Sequence, residues 1–463
     1  MKQKAKYKQL AQQLISKIEQ RIYTSDKPLP SLRSFCDIQQ VSMTTALACY
    51  RYVESQGYIT AHPKRGYFVT TPIAGAVKYD FPNFVAKPTQ SKHSARSNEL
   101  MPQSLATAEL GASLVDHKAL SASLAQACRH SDLIWGYACI QGEATLRLAL
   151  SKHFSTQGFA LSEKEISITH GCLDAVQLAI SVLSNEHDII LVSSPCYSGL
   201  LDMLHTLKRR VIEIPSTHDG IDLVQMEYAI QQHNVVACLL TANHQNPTGH
   251  SLSNSQKRQI AQLANTYQLP IIEDDVFREI SHNRTPPLPI KHFDENGWVI
   301  WCASFSKSLS AGLRLGWCAP GRYFDAYITQ QKVRTSGVNK PLQLAIAHYI
   351  NRGHYQQHLK RTNNKLASHK NLYITLLNSI LPVNSSIYIP HGGMVLWIKV
   401  PDLDSDMLAT VLVSQHIFIK PGTVFGTTKH YKECFRLNFG LEFTVDIQTQ
   451  LNKIANEINK QLT

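Results

Sequence analysis

From about residue 110 to the C-terminus, short apolar runs alternate with stretches of helical periodicity, and this alternation constrains the chain more than any other feature. The runs are EISIT (165–169), DIILV (188–192), RVIEI (210–214), ACLLT (237–241), LPIIED (269–274), WVIWCAS (298–304) and GWCAP (316–320). Strand and helix in alternation predict an α/β unit with a mostly parallel sheet and helices on both faces. In such sheets ligands sit beyond the carboxyl ends of the strands. The polar, Gly- and Pro-bearing segments of this chain fall at those ends, so they are read together as one site.

Each segment has a bland reading and a chemical one. Thr169-His170-Gly171-Cys172-Leu173 is a small-residue turn opening a helix, a place where backbone N–H groups hold phosphate; many strand–helix turns carry glycine for packing alone. In SPCYSGLL, Tyr197 offers a ring to a flat ligand or to the core. NPTG (246–249) projects the Asn246 amide from a turn. IIEDDVF (271–277) sets three acids after a buried strand, which is costly without a cationic partner. SFSKSLSAGLRLGW (304–317) converges Ser304, Ser306, Lys307 and Arg314 on one loop. A lone lysine there is a surface charge; two hydroxyls, an amine and an arginine together suit a phosphorylated aldehyde. FRLNFG (435–440) buries Arg436 in an apolar strand, where it needs an anion.

The charge is uneven. The 463 residues carry a net charge of +12. Residues 1–70 hold eleven Lys and Arg against four acids, a net +7, and the other 393 hold 35 basic and 30 acidic groups. A compact basic unit at one end points to a polyanion, nucleic acid first. The length, about three common domains, predicts two or three compact units. No apolar stretch approaches the ~18 residues of a membrane span. The basic start is interrupted by Gln, Lys and Glu, unlike a secretory signal. The ten cysteines lack CxxC or metal-type spacing, so structural thiols in a cytoplasmic protein, with no metal, are expected.

Within the basic unit, Tyr7, Leu10, Ala11, Leu14, Ile15, Ile18 and Ile22 predict an amphipathic helix over 5–22. Ser31 caps a second helix to about Ile38, and Ser42 a third through Gln56, with Leu47, Tyr50 and Val53 inward. GYITAHPKRGYFVT reads as two strands joined around Pro63–Gly66. Helix, helix–turn–helix and basic hairpin make an α+β winged helix. Ser42, Thr44 and Thr45 at a helix N-terminus suit phosphates and groove edges. Arg33, Arg51, Lys64 and Arg65 supply the salt-dependent term, and the Lys64-Arg65-Gly66 wing is short enough for a minor groove. Residues 72–108 are Pro-, Ser- and Lys-containing with little periodicity and read as a linker, with Tyr79–Phe84 docking on the larger unit.

The run LPSLRSF…VSMTTALACYRYVESQGYI…KRGYFV resembles the GntR-type winged helix, LPSxR…VSxxTxxxAYxxLxxxGxI…GxGxFV. The resemblance implies DNA contacts at Ser31, Arg33, Ser42, Thr44, Thr45, Lys64, Arg65 and Gly66. Met43 departs from a usual basic residue, Phe35-Cys36 from a Leu-Ala pair, and Gln40 from a turn glycine. Residues 110–460 resemble the fold-type I pyridoxal-phosphate (PLP) aminotransferases through SxSKxLxxGxRxG. This implies Lys307 as the Schiff-base lysine, Asp274 as partner of the pyridine nitrogen, and Asn246 as contact to the ring hydroxyl. It also implies Tyr197 as the stacking aromatic and Gly171, Cys172, Leu173, Ser304, Ser306 and Arg314 as the phosphate cup. Tyr137 matches a tyrosine that reaches a phosphate in the partner subunit, Arg436 the substrate-carboxylate arginine, and Gly392-Gly393 a ligand-site loop. The family's tyrosine beyond the aspartate is replaced by Val276 and Phe277, which keeps ring volume and drops a hydroxyl.

A GntR-type winged helix (1–71), a linker (72–108) and an aminotransferase-like effector-binding and dimerisation domain (109–463) resemble the MocR architecture. The implied function is a transcription regulator that senses PLP, or an amine or amino acid, through an aldimine at Lys307. A homodimer on double-stranded DNA with paired half-sites is expected. The alternative is an active aminotransferase with a secondary DNA-binding domain. Against it stands Phe277, which leaves a residual half-reaction rather than full turnover. A PLP-blind repressor that uses the fold only to dimerise would show no visible absorbance.

Overall fold

The computed structural model describes residues 3–19, 22–23, 28–55, 58–62, 66–69, 87–88, 102–129, 132–217, 219–282 and 285–463. The chain divides into two compact units, residues 1–76 and 77–463.

In the first unit α1 (Gln3–Glu19) buries Leu10, Ala11, Leu14 and Ile18, the i, i+3, i+4 stripe of its sequence. It stops three residues short of the expected end: Ile22 lies beyond the helix and is 60 % exposed. α2 (Leu32–Gln39) starts where the Ser31 hydroxyl accepts the Ser34 N–H at 3.2 Å. It ends because Gln40 turns left-handed, at φ 50°, the conformation a glycine would take without a Cβ clash. α3 (Met43–Ser55) is capped by Ser42, whose Oγ accepts the Thr45 N–H at 3.3 Å. Ala46, Cys49, Tyr50 and Val53 line its buried face, and Leu47 is half-buried. Tyr50 stacks edge-on between Phe35 and Tyr67, each at 5.0 Å, and its hydroxyl donates to Pro30 O at 2.8 Å. A buried ring with its hydroxyl satisfied is the economical way to join helices to the hairpin of β1 (Ile59–His62) and β2 (Gly66–Val69).

The larger unit carries the parallel sheet expected from sequence. Its strands are β3 (Lys87–Pro88), β4 (Ser167–Thr169), β5 (Ile189–Ser194), β6 (Arg210–Thr217), β7 (Gly220–Ile221), β8 (Val235–Leu240), β9 (Ile271–Asp274), β10 (Val299–Ser304) and β11 (Gly316–Ala319). The order is β3-β6-β5-β8-β9-β10-β11-β4, with β7 folded back on β6. The pairs β6·β5, β5·β8, β8·β9 and β9·β10 are parallel. β11 runs against both its neighbours. β5, β9, β10 and β11 are almost wholly buried, as continuous apolar runs covered on both faces must be.

A second, antiparallel sheet follows the 27-residue helix His354–Ile380: β12 (Ser386–Tyr388), β13 (Val395–Lys399), β14 (Lys420–Pro421) and β15 (Cys434–Asn438), in the order β12-β13-β15-β14. Its core includes Leu396, Phe435 and Leu437 and also takes in Leu105, Leu110 and Phe277. Residues 102–108, which the composition assigned to a linker, are thus packed into this unit. They were missed because a single buried leucine, Leu105, in a polar stretch leaves no period to detect. Among the described residues no helix is long and apolar enough to cross a membrane.

Candidate functional site

Strand ends bring the candidate residues of the larger unit together. Period-2 alternation sorts the three acids near β9. Glu273 accepts the N–H groups of Ile290 (2.8 Å) and Lys291 (3.0 Å). Asp275 accepts from Asn243 and the Trp301 indole, each at 2.8 Å. Asp274 takes the other direction and receives the Cys172 thiol at 3.1 Å and the Val276 N–H at 3.3 Å. Burial raises its pKa; the Cys172 and Val276 bonds and the charge of Lys307 oppose that rise.

Lys307 stands on the short helix Phe305–Ser308 directly after β10. Its Nζ donates to the Ala108 carbonyl at 2.6 Å and lies 5.9 Å from the centre of the Phe277 ring. Burial, then the nearby Arg436 charge, lower its pKa to about 8, against the pull of Glu109 and Asp274. Phe277 is 3 % exposed and belongs to the core, so its ring fills space and offers no hydroxyl.

Helix Cys172–Leu183 opens at Gly171, φ 101°, with no side chain capping it. The Arg314 guanidinium lies over that opening: a Cβ on Gly171 would meet its Nη2 at 3.1 Å. Arg314 Nη1 reaches Ser306 Oγ, and Nη2 reaches His170 O, each at 3.5 Å. Ser304 Oγ accepts the Ser306 N–H at 3.3 Å. On the far side Gly316 leaves no room, since a Cβ there would fall 2.7–2.8 Å from Gly171 backbone atoms. Leu173 is 37 % exposed. Tyr197 stands at the N-cap position of the helix Ser198–Thr206 without a side-chain capping bond, and its ring rests on Gly199, where a Cβ would come within 2.7 Å of the ring.

Arg436, on β15, is 2 % exposed. Its Nη1 donates to Asn246 Oδ1 at 3.0 Å, and its Nη2 donates to the Ala106 carbonyl. Among the described residues its Nε has no partner and no carboxylate pairs with it. Burial lowers its pKa to about 10. Gly392 passes against the His244 ring, two residues before Asn246. Tyr137 is not brought to this site within one chain; it is 87 % exposed. Sequence reasoning missed Ala106 and Ala108, which act through backbone carbonyls and so carry no side-chain signature. The Cys172–Asp274 bond was equally hidden, as cysteine there reads only as a small cup residue.

In the N-terminal unit Ser31, Arg33, Ser42, Thr44, Arg51 and Gly66 are exposed, and Thr45 is half-buried beneath its bond to Ser42. Lys64 and Arg65, and the segment Tyr79–Phe84, lie outside the described residues.

An uncapped helix start under a guanidinium matches a phosphate. A buried carboxylate 3.1 Å from a neutral donor matches a ring nitrogen, and an amine of lowered pKa matches an aldehyde. This donor set fits PLP. Residues 113–446 match the family model for aminotransferase class I and II. Among solved structures, the chain is similar to a multiple substrate aminotransferase from Thermococcus profundus (TM-score 0.72, 24 % identity, 78 % of this chain and 92 % of that one). It is also similar to LysN, an alpha-aminoadipate aminotransferase from Thermus thermophilus (TM-score 0.72, 20 % identity, 78 % and 92 %). Fold and site define a fold-type I aminotransferase domain whose cofactor is PLP.

That domain is not the whole likeness. Over 99 % of this chain and 100 % of the relative, the sequence is 32 % identical to the HTH-type transcriptional regulator YdcR of Escherichia coli. It is 28 % identical to the HTH-type regulator NorG of Staphylococcus aureus over 76 % and 79 %. The chain belongs to the MocR subfamily of GntR-type transcription regulators.

Proposed function

We propose that this chain is a DNA-binding regulator whose larger domain holds PLP at Lys307 and reads a carboxylate-bearing amine or amino acid at Arg436. The observation that carries the proposal is the Arg436 guanidinium: buried, and among the described residues without a carboxylate partner and with one nitrogen unbonded, in the same site as Lys307. A buried charge left this way is stable only if an anion completes it. Bound PLP supplies an electron sink. Asp274 keeps the ring nitrogen protonated and Asn246 holds the ring hydroxyl. Tyr197 fixes the ring plane, while Ser304, Ser306, Arg314 and the helix start at Gly171, Cys172 and Leu173 bind phosphate. Lys307 carries and moves protons at its Nζ.

Residues 1–71 serve as a winged helix-turn-helix and 109–463 as sensor and dimerisation domain; 72–108 join them, with Lys87–Pro88 and 102–108 held by the larger unit. Exposed Ser31, Arg33, Ser42, Thr44, Arg51 and Gly66, with Thr45, Lys64 and Arg65, contact DNA. The exposure of Tyr137 suits a homodimer in which it reaches the partner's phosphate site, and two DNA units then engage paired half-sites. A cytoplasmic place of action goes with this reading.

Two measurements test it. Purified protein should be yellow, bleach on Lys307→Ala, and change colour with one of a panel of amines and amino acids. On a duplex selected from random sequence, Arg33→Ala should weaken binding and lower the salt slope by about one while leaving the colour intact. A colourless wild type, or unchanged DNA affinity in the variant, overturns the corresponding half.

A further inference from the structure

Two carbonyls from one short stretch sit on the two cations of the ligand site. Ala106 O receives Arg436 Nη2, and two residues on Ala108 O receives Lys307 Nζ at 2.6 Å. The stretch is seated by side chains and backbone on either side. Leu105 is 1 % exposed and Leu110 5 %, both in the core that contains Phe277. Asn438 N–H donates to Leu105 O at 2.9 Å, and Asn438 Nδ2 to Glu109 O at 3.0 Å. The Glu109 carboxylate accepts the Gln103 N–H, which closes the stretch into a loop. Nothing here gives Arg436 an ion pair; it is offered a neutral carbonyl where a carboxylate belongs.

We infer that residues 104–109 form a strap that stands in for the effector, its Ala106 carbonyl occupying the place on Arg436 that the effector's carboxylate must take. This rests on the reading of Arg436 given above. A carboxylate binds a guanidinium more strongly than a carbonyl does, so an effector carrying one exchanges with the strap, while an amine lacking one does not. The apparent affinity for the effector is reduced by the fraction of molecules in which the strap is down. The chain toward the N-terminal unit is already pinned upstream, where Lys87–Pro88 pairs with β6, so the strap acts within the larger unit. Its release only when a carboxylate is present makes the device selective for amino acids over plain amines.

Hydrogen exchange over residues 103–111 in full-length, cofactor-loaded protein tests this. At concentrations where each saturates the colour change, L-alanine should speed exchange there about tenfold and methylamine should leave it fixed. A colour response to L-alanine with unchanged exchange overturns the strap and leaves the sensor reading intact. If no amino acid alters the colour, the sensor reading fails, and Arg436→Met then decides the strap without any ligand. Faster exchange over 103–111 supports it, and an unchanged rate overturns it. Leu105→Ala guards against a misfolded Arg436 variant. Loosening a competitor tightens L-alanine binding, by about threefold or more, whereas loosening a mere wall of the site weakens it and overturns the proposal.

Discussion

The Cys172 thiol donates to a carboxylate oxygen of Asp274 across 3.1 Å, inside the core and at the first turn of a helix. On the proposed reading of the site, residue 172 supports the partner of the cofactor's nitrogen, while the neighbouring backbone would face the phosphate. Among the described residues, Cys172→Ala leaves the Val276 N–H as Asp274's remaining hydrogen-bond donor, beside the charge of Lys307. PLP should dissociate about fivefold more readily, the worth of one hydrogen bond of about 1 kcal/mol, and Cys172→Ser should restore binding. Equilibrium dialysis of the cofactor measures both.

Lys307 sets a pH dependence. Burial, then Arg436, lower its pKa to about 8 from an ordinary 10.5, so the native state binds fewer protons than the unfolded chain between those values. Its burial costs stability below pH 8, and that cost fades as pH rises. Covalent uptake of PLP by cofactor-free protein, followed by absorbance, should rise with pH to a midpoint near pH 8. A midpoint near 10.5 would contradict the burial of the amine.

The sequence showed the frame of this site because its signals were of two robust kinds. Apolar runs marked the strands that end at Thr169, Asp274 and Ser304, and the SxSKxLxxGxRxG spacing placed Lys307 and Arg314 on one loop. Cap residues did the same for Ser31 and Ser42, where a hydroxyl at the right offset is itself the interaction. What stayed hidden was carried by groups that every residue owns or by residues with several uses. The carbonyls of Ala106 and Ala108 are chemically anonymous, and strands as short as β12 and β14 hold too few residues to show a period. Ile22 misled in the opposite direction, fitting the stripe of α1 yet lying past its end.

Acid should weaken the protein through Glu279. Burial alone would raise this carboxyl. The charge and hydrogen bond of His153, Arg278 and the Tyr355 hydroxyl outweigh that and hold it at about 2. The depressed pKa contributes about 3 kcal/mol, complete above pH 4.5 and lost as pH falls toward 2. Glu279→Gln should flatten the acid limb of a denaturant-midpoint profile and lower stability by about 3 kcal/mol at pH 7.

Gln40 offers a gain. Its left-handed backbone suits glycine, while its own side chain returns one exposed bond to Asp37 O at 2.7 Å. Gln40→Gly should stabilise the turn between α2 and α3 by about 0.5–1 kcal/mol, seen as amide exchange about threefold slower in both helices.

A Cβ on Gly316 would fall 2.7–2.8 Å from backbone atoms of Gly171, while Gly171 itself holds φ 101° beneath the Arg314 guanidinium. Close backbone contact demands the first glycine and a positive φ the second, whether or not a phosphate ever binds above them. In any descendant of this chain, keeping that pair would therefore testify to the fold and be silent about the cofactor. The informative positions are Lys307 and Asp274. The first spends a lysine, and the second a carboxylate, in an interior that a neutral residue would occupy more cheaply. On the proposed reading, a lineage that abandoned PLP would lose those two first and keep its glycines, so Lys307 and Asp274, not the glycine pair, are where dependence on the cofactor is written.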